Sequence, residues 1–344
     1  MAPGDRRLNA RALLTLLSLA LLLLLLLLLP LRTSSYMHSF LIDLMTFAIL
    51  AQSWNLFSGT TGYLSLGHGV FFGVGVYAFA LSVSKLGWPP IPALLCGGVV
   101  AVVVAALFGS LFLWVRIKIA YFALITLGLS EIVRAIIQNT PALGGAQGTT
   151  TPLLPTPLLA YYYQLVLTVA VTLVAYLVKR SRLGLGLRAI HADELAAMAS
   201  GVHAFRHKFA VLLLSAVFPG LSGAMTVWFW SYTEPDQAFS LIVSFNMVIM
   251  SFFGGVGTVS GPLVGAAVMG VVSEILSTRF PFLHAILFGL LVILIIIFWP
   301  GGILQVAARL RAHARSRSAI GSAGESTREK GTHVVQRPAR GGRS

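Results

Sequence analysis

The chain has 344 residues, of which 57% are hydrophobic and only 10% charged, far below the roughly 25% charged of a soluble globular chain. Its net charge of +14 is no nucleic-acid footprint: nine Lys/Arg against two Asp/Glu fall from Gln305 onward, and the rest lie mostly in short loops between apolar runs, where they set topology and attract anionic lipid. The single Cys96 excludes a disulfide framework, and eight histidines without metal-ligand spacing give no zinc cage, so neither a metal nor another cofactor is expected.

Crossing a bilayer takes roughly 20 apolar residues per helix. Such runs fall at about 12–31, 39–57, 68–86, 91–114, 119–138, 158–178, 208–230, 239–256, 262–279 and 282–299. The expected fold is therefore all-α and polytopic, with about ten transmembrane helices. The first run opens with Arg6, Arg7 and Arg11 and carries nine leucines before Pro30. No small-residue cleavage site follows, so it reads as an uncleaved helix rather than a signal peptide.

An even number of crossings puts both termini on one side, and the positive-inside rule chooses the cytoplasm. Arg6, Arg7, Arg11, Arg116, Lys118, Lys179, Arg180, Arg182, Arg188, Arg206 and Lys208 then lie inside with the basic tail, against Arg32, Lys85 and Arg279 outside. Residues 1–304 form the membrane domain by this reading. Residues 305–344 form a basic tail, rich in Arg, Gly and Ser, of disordered composition.

Two apolar stretches are interrupted by glycine: NLFSGTTGYLSLGHGVFFGVGVY from Asn55, and FFGGVGTVSGPLVGAAVMG from Phe252. Discontinuous helices around a binding site and close packing through small residues both account for them. His68, between Gly67 and Gly69, either hydrogen-bonds backbone freed by the break or is a satisfied polar group. In the fifth run Glu131 and Arg134 are spaced i, i+3, which lets them neutralise one another as an intramembrane ion pair. Asp43 and Glu274 are the remaining intramembrane carboxylates and lie toward the outer ends of their helices.

One inner loop is long enough for structure of its own. Residues 179–207 contain AIHADELAAM, a helix-favouring run framed by Gly184, Gly186 and Gly201, suited to docking another protein or to lying on lipid. No Gly-Lys-Ser or Gly-Lys-Thr occurs, so the chain has no phosphate-binding loop with which to hydrolyse ATP. An ion-coupled carrier and an intramembrane serine hydrolase using Ser65 and His68 are rival readings. The hydrolase lacks a nucleophile elbow and an orienting third group.

Three stretches resemble the LivM-like permease subunits of bacterial ABC importers for branched-chain amino acids, with urea and amide permeases as close relatives. They are Asn55–Tyr77, Ser181–Val202 (SRLGLGLRAIHADELAAMASGV) and Gly254–Ala266 (GGVGTVSGPLVGA). Ala123–Arg134 and Trp299–Gly302 match more weakly, and the order along the chain is the family's. The segment Leu143–Thr150 departs from the family pattern, as does Pro219 within FPGLSGA.

The resemblance implies a permease subunit in the inner membrane, working with a second permease, cytoplasmic ATP-binding subunits and an extracytoplasmic solute-binding protein. It implies a translocation pathway near Asn55, Gly59, Thr61, Gly62, Ser65, Gly67, His68, Gly254, Gly255, Gly257, Thr258 and Gly261. It also implies an ATPase-coupling segment with Arg188, Asp193, Glu194, Ala196, Ala197 and Gly201. Selective passage, with no covalent chemistry, is the expected role.

Overall fold

The computed structural model describes residues 20–298, apart from 22, 33, 116–118, 154 and 155, together with residue 302. The start of the first apolar run, Arg116, Lys118, Trp299 and the basic tail lie outside the described residues. Each of the ten apolar runs coincides with helix. A first segment, Leu23–Arg32, precedes α1 (Ser35–Thr61), α2 (Gly69–Ser84), α3 (Pro90–Trp114), α4 (Ile119–Gln138), α5 (Pro157–Arg180), α6 (Arg182–Ala192), α7 (Glu194–Ala199), α8 (Ala204–Trp230), α9 (Pro235–Ala238), α10 (Leu241–Gly254), α11 (Gly261–Arg279) and α12 (His284–Phe298). Seven helical stretches among the described residues are long and apolar enough to cross a membrane, taking Pro235–Gly254 as one. The first segment, α2 and α12 are shorter, so the count of ten crossings is approximate.

Helix α1 packs against α5, α8, α10 and α11. A second layer is the trio α2, α3 and α8. Lipid tails are as apolar as leucine, so such helices associate through close fit rather than by escape from water. Glycines supply that fit. A Cβ on Gly75 would stand 2.1 Å from the Gly220 carbonyl oxygen, one on Gly220 would meet Ala101, and one on Gly223 would meet the Phe72 carbonyl. On the outward side of α3, Ile91, Leu95, Val99, Val103, Leu107 and Leu111 form an exposed stripe at four-residue spacing, the face such a helix offers to lipid.

Pro219 lies inside the unbroken α8. Proline has no N–H for the carbonyl four residues earlier, which is that of Ser215. The Ser53 hydroxyl of α1 donates to that carbonyl instead, so the vacancy in one helix is filled by its neighbour. At the end of the bundle holding the α8 C-terminus, Thr149–Thr150 pairs antiparallel with Tyr232–Thr233, Thr149 opposite Thr233.

The segment 179–207 differs from its expected form. It holds two helices, α6 and α7, separated at Asp193, and Gly184 and Gly186 lie within α6 rather than framing it. Asp193 adopts an extended backbone, and its carboxylate accepts from the Ala196 N–H at 3.0 Å. That contact makes it the N-cap of α7 instead of a mid-helix residue. Gly201 ends the segment with φ of +87°, in the left-handed region that suits a helix C-terminus.

Candidate functional site

Both glycine-rich stretches are interrupted helices, and they are close-packed as well. The first interruption spans residues 62–68, between α1 and α2. Backbone left without a helical partner inside a membrane protein needs another, and here neighbouring side chains provide it. The Trp54 indole donates to the Ser65 carbonyl at 2.7 Å, Ser58 accepts from the Ser65 N–H, Thr126 of α4 from the Leu66 N–H, and Ser244 of α10 from the Gly69 N–H. Gly67 is pressed so tightly against α4 that a Cβ would lie 1.6 Å from the Thr126 carbonyl oxygen.

The second interruption, residues 255–260, separates α10 from α11. Asn55 joins it to α1, two turns before the first interruption. Its amide donates to the Thr258 carbonyl at 2.8 Å and accepts from the Gly257 N–H at 2.7 Å. One turn earlier, Gln52 donates to the Val259 carbonyl at 3.0 Å. The Thr258 hydroxyl closes the loop from within, donating to the Gly255 carbonyl and accepting from the Gly261 N–H.

The expected pathway residues therefore gather at one junction. Asn55, Gly59, Thr61, Ser65, Gly67, His68, Gly254, Gly255 and Gly261 are buried, while Gly62, Gly257 and Thr258 are partly so. His68 lies inside the bundle near the Ser215 carbonyl of α8. The ring is wholly buried, stacked on Phe57 and edge-on to Phe71, and neither nitrogen has a hydrogen-bond partner among the described residues.

The α6–α7 segment touches the first interruption, and the end of α5 touches the second. Glu194 accepts from the Tyr63 hydroxyl at 2.8 Å and from the Lys208 ammonium at 2.6 Å. Lys208 is 1% exposed and also lies over the Tyr63 ring at 4.4 Å. Burial and the adjacent Glu194 push the Tyr63 phenol upward from its ordinary value, so it stays protonated and donates. His191 borders Gly62, and Lys179 at the end of α5 donates to the Gly257 carbonyl at 3.0 Å. Between these contacts lies a cleft of about 390 Å³ bordered by Gly59, Lys179, Arg188, His191 and Gly257. Arg188, Asp193, Ala196 and Gly201 are exposed, while Ala197 is buried against Ile190 and Ala204.

Glu131 and Arg134 are in contact on α4, and a third member joins them. Arg134 also donates to Asp236 of α9 at 2.7 Å, and Gln138 donates to the same oxygen at 2.8 Å. Asp236, Tyr63 and Lys208 are the residues that reading the sequence missed. Lys208 stands among loop charges, and only folding brings it to Glu194. Among the described residues no group of three or more His, Cys, Asp or Glu could hold a metal ion.

A bundle of apolar helices, interrupted twice at a shared polar junction and contacted at one end by a short exposed helix pair, defines the membrane subunit of a transporter. Residues 36–297 match the family described as branched-chain amino acid transport system, permease component, and the chain belongs to that family. It is 28% identical over 299 residues to the high-affinity branched-chain amino acid transport system permease protein LivM of Salmonella typhimurium, covering 76% of this chain and 68% of the relative. The corresponding protein of Escherichia coli is 27% identical over the same shares. The D-allose transport system permease protein AlsC of Escherichia coli is 25% identical over 61% of this chain and 70% of its own length. No solved structure matches.

Proposed function

We propose that this chain is the permease of an inner-membrane ABC importer for branched-chain amino acids, with ATP hydrolysed by separate cytoplasmic subunits, a second permease beside it, and an extracytoplasmic binding protein delivering the solute. The solute class follows the two LivM relatives. Both termini are cytoplasmic in this reading, which places α6 and α7 at the inner face. The pathway passes the junction of the two interruptions, where the helices of the bundle are broken and held by polar side chains, and residues 305–344 act as a basic tail near anionic lipid.

One observation carries the coupling assignment: Glu194 of the exposed α6–α7 pair is bonded to Tyr63 beside the first interruption and to Lys208 at the start of α8. A push on α7 from an ATPase reaches both elements through a buried ionic contact rather than through loose loop. Small displacements are amplified when packed elements have discrete arrangements, and rocking of bundles about an enclosed site is a common transport scheme.

The test is ATP-dependent leucine, isoleucine and valine uptake in vesicles containing the assembled transporter. Substituting Asp193→Ala with Glu194→Ala is expected to abolish uptake while the chain still reaches the membrane in normal amount. Undiminished uptake by that double variant removes the coupling assignment. Uptake driven by a proton or sodium gradient without any ATPase refutes the importer itself.

A further inference from the structure

At the end of the bundle opposite α6 and α7, a cavity of about 190 Å³ opens between α1, α2, α8 and α10, beneath the Tyr232–Ala238 segment. Drug-sized sites occupy roughly 300–1,000 Å³, so only a small solute fits. Its walls are largely aliphatic and aromatic, with Phe47, Leu50, Phe72 and Val76 among them, and Gln237 lies at the exposed rim. Thr46, Thr226 and Thr233 add hydroxyls to the lining, and its one acid is Asp43 of α1, which sits beside the Trp230 indole.

Asp43 is partly buried, and the ion pairs among the described residues are Arg134 with Glu131, Arg134 with Asp236, and Lys208 with Glu194. No cation among them answers it. The nearest charged neighbour makes matters worse, because a second cavity of about 170 Å³ shares Asp43 and Phe47 and holds Glu274 on its far wall. Glu274 accepts from the Tyr36 hydroxyl. A carboxylate in an apolar, membrane-embedded wall is costly unless a counter-charge arrives, and like charges sharing a site increase that cost.

We propose that this cavity is a solute subsite for an aliphatic ammonium compound. The ammonium of a small amino acid is received by Asp43, its hydrocarbon side chain lies against Phe47, Leu50 and Val76, and the Gln237 amide at the rim donates to its carboxylate. The inference rests on the transport reading above and deepens it, naming Asp43 as the residue that selects for the ammonium group.

The experiment uses the assembled transporter in detergent or lipid discs, with radiolabelled leucine and no binding protein. Isopentylamine, which keeps the ammonium and the hydrocarbon, is expected to compete with leucine, and 4-methylpentanoate, which lacks the ammonium, is not. Asp43→Asn is expected to weaken leucine binding about 10-fold or more, the effect of one charge-assisted hydrogen bond, with Asp43→Glu restoring most of it. Equal competition by both analogues in the unaltered protein overturns the proposal even if Asp43→Asn fails to accumulate. So does wild-type leucine affinity in Asp43→Asn. If the unaltered transporter takes up leucine with ATP while Asp43→Asn is indistinguishable from it, the subsite falls and the importer reading stands. If the unaltered transporter takes up none, the importer reading falls as well.

Discussion

Replacing Lys208 by Met tests whether the inner contact holds α7 in place. The Lys208 side chain is 1% exposed and the Glu194 side chain 22%, so the substitution leaves a carboxylate that is mostly removed from water and keeps only the Tyr63 hydroxyl. Breaking one partner of a fully buried pair costs about 3–5 kcal/mol. Glu194 retains about a fifth of its surface in solvent, which brings the expectation down to about 2 kcal/mol, or about 30-fold in a local opening equilibrium. Hydrogen exchange of the α7 amides, followed by mass spectrometry on the assembled transporter, is expected to accelerate by that factor while the amides of α3 and α8 do not change. Adding Glu194→Gln removes the orphaned charge, so the double variant is expected to exchange more slowly than Lys208→Met alone. Unchanged α7 exchange in Lys208→Met, or strictly additive effects in the cycle, refutes the reasoning.

Three further outcomes follow from contacts elsewhere in the bundle. Asn55→Leu strips partners from the Gly257 N–H and the Thr258 carbonyl; at about 1–3 kcal/mol for each polar group left unpaired, folded protein recovered from membranes is expected to fall severalfold by size-exclusion fluorescence. Gly67→Ala places a Cβ against the Thr126 carbonyl, whereas Gly128→Ala on the same α4 meets nothing within 4 Å, so a thermal-stability assay is expected to separate a severe loss from no change. Ser53→Ala removes the hydroxyl that donates to the Ser215 carbonyl and is expected to lower stability by about 1 kcal/mol. Adding Pro219→Ala, which returns an N–H to α8, is expected to recover most of that loss in the same assay.

The apolar helices were legible because a span must be apolar over a fixed length whatever it packs against, and where both ends are described the boundaries fall within a few residues of the apolar runs. The separation of α6 from α7 was not. Ala189, Ala192, Glu194 and Leu195 all favour one continuous helix, and Asp193 ends it only by turning its carboxylate onto the Ala196 N–H. The glycines marked both interruptions correctly, yet Asn55 was chosen for lying beside one of them, with no hint that its amide spans 203 positions of sequence to the other. The aromatic surroundings of His68 were equally hidden, because Phe57 and Phe71 reach its ring only in the folded chain.

The twin bonds of Asn55 have a mechanical corollary. A planar amide gripping both an N–H and a carbonyl of one loop resists twisting as well as separation, so the last turns of α1 and the 255–260 segment are geared to each other and neither yields independently. Whatever deforms this region must turn it as a single pivot.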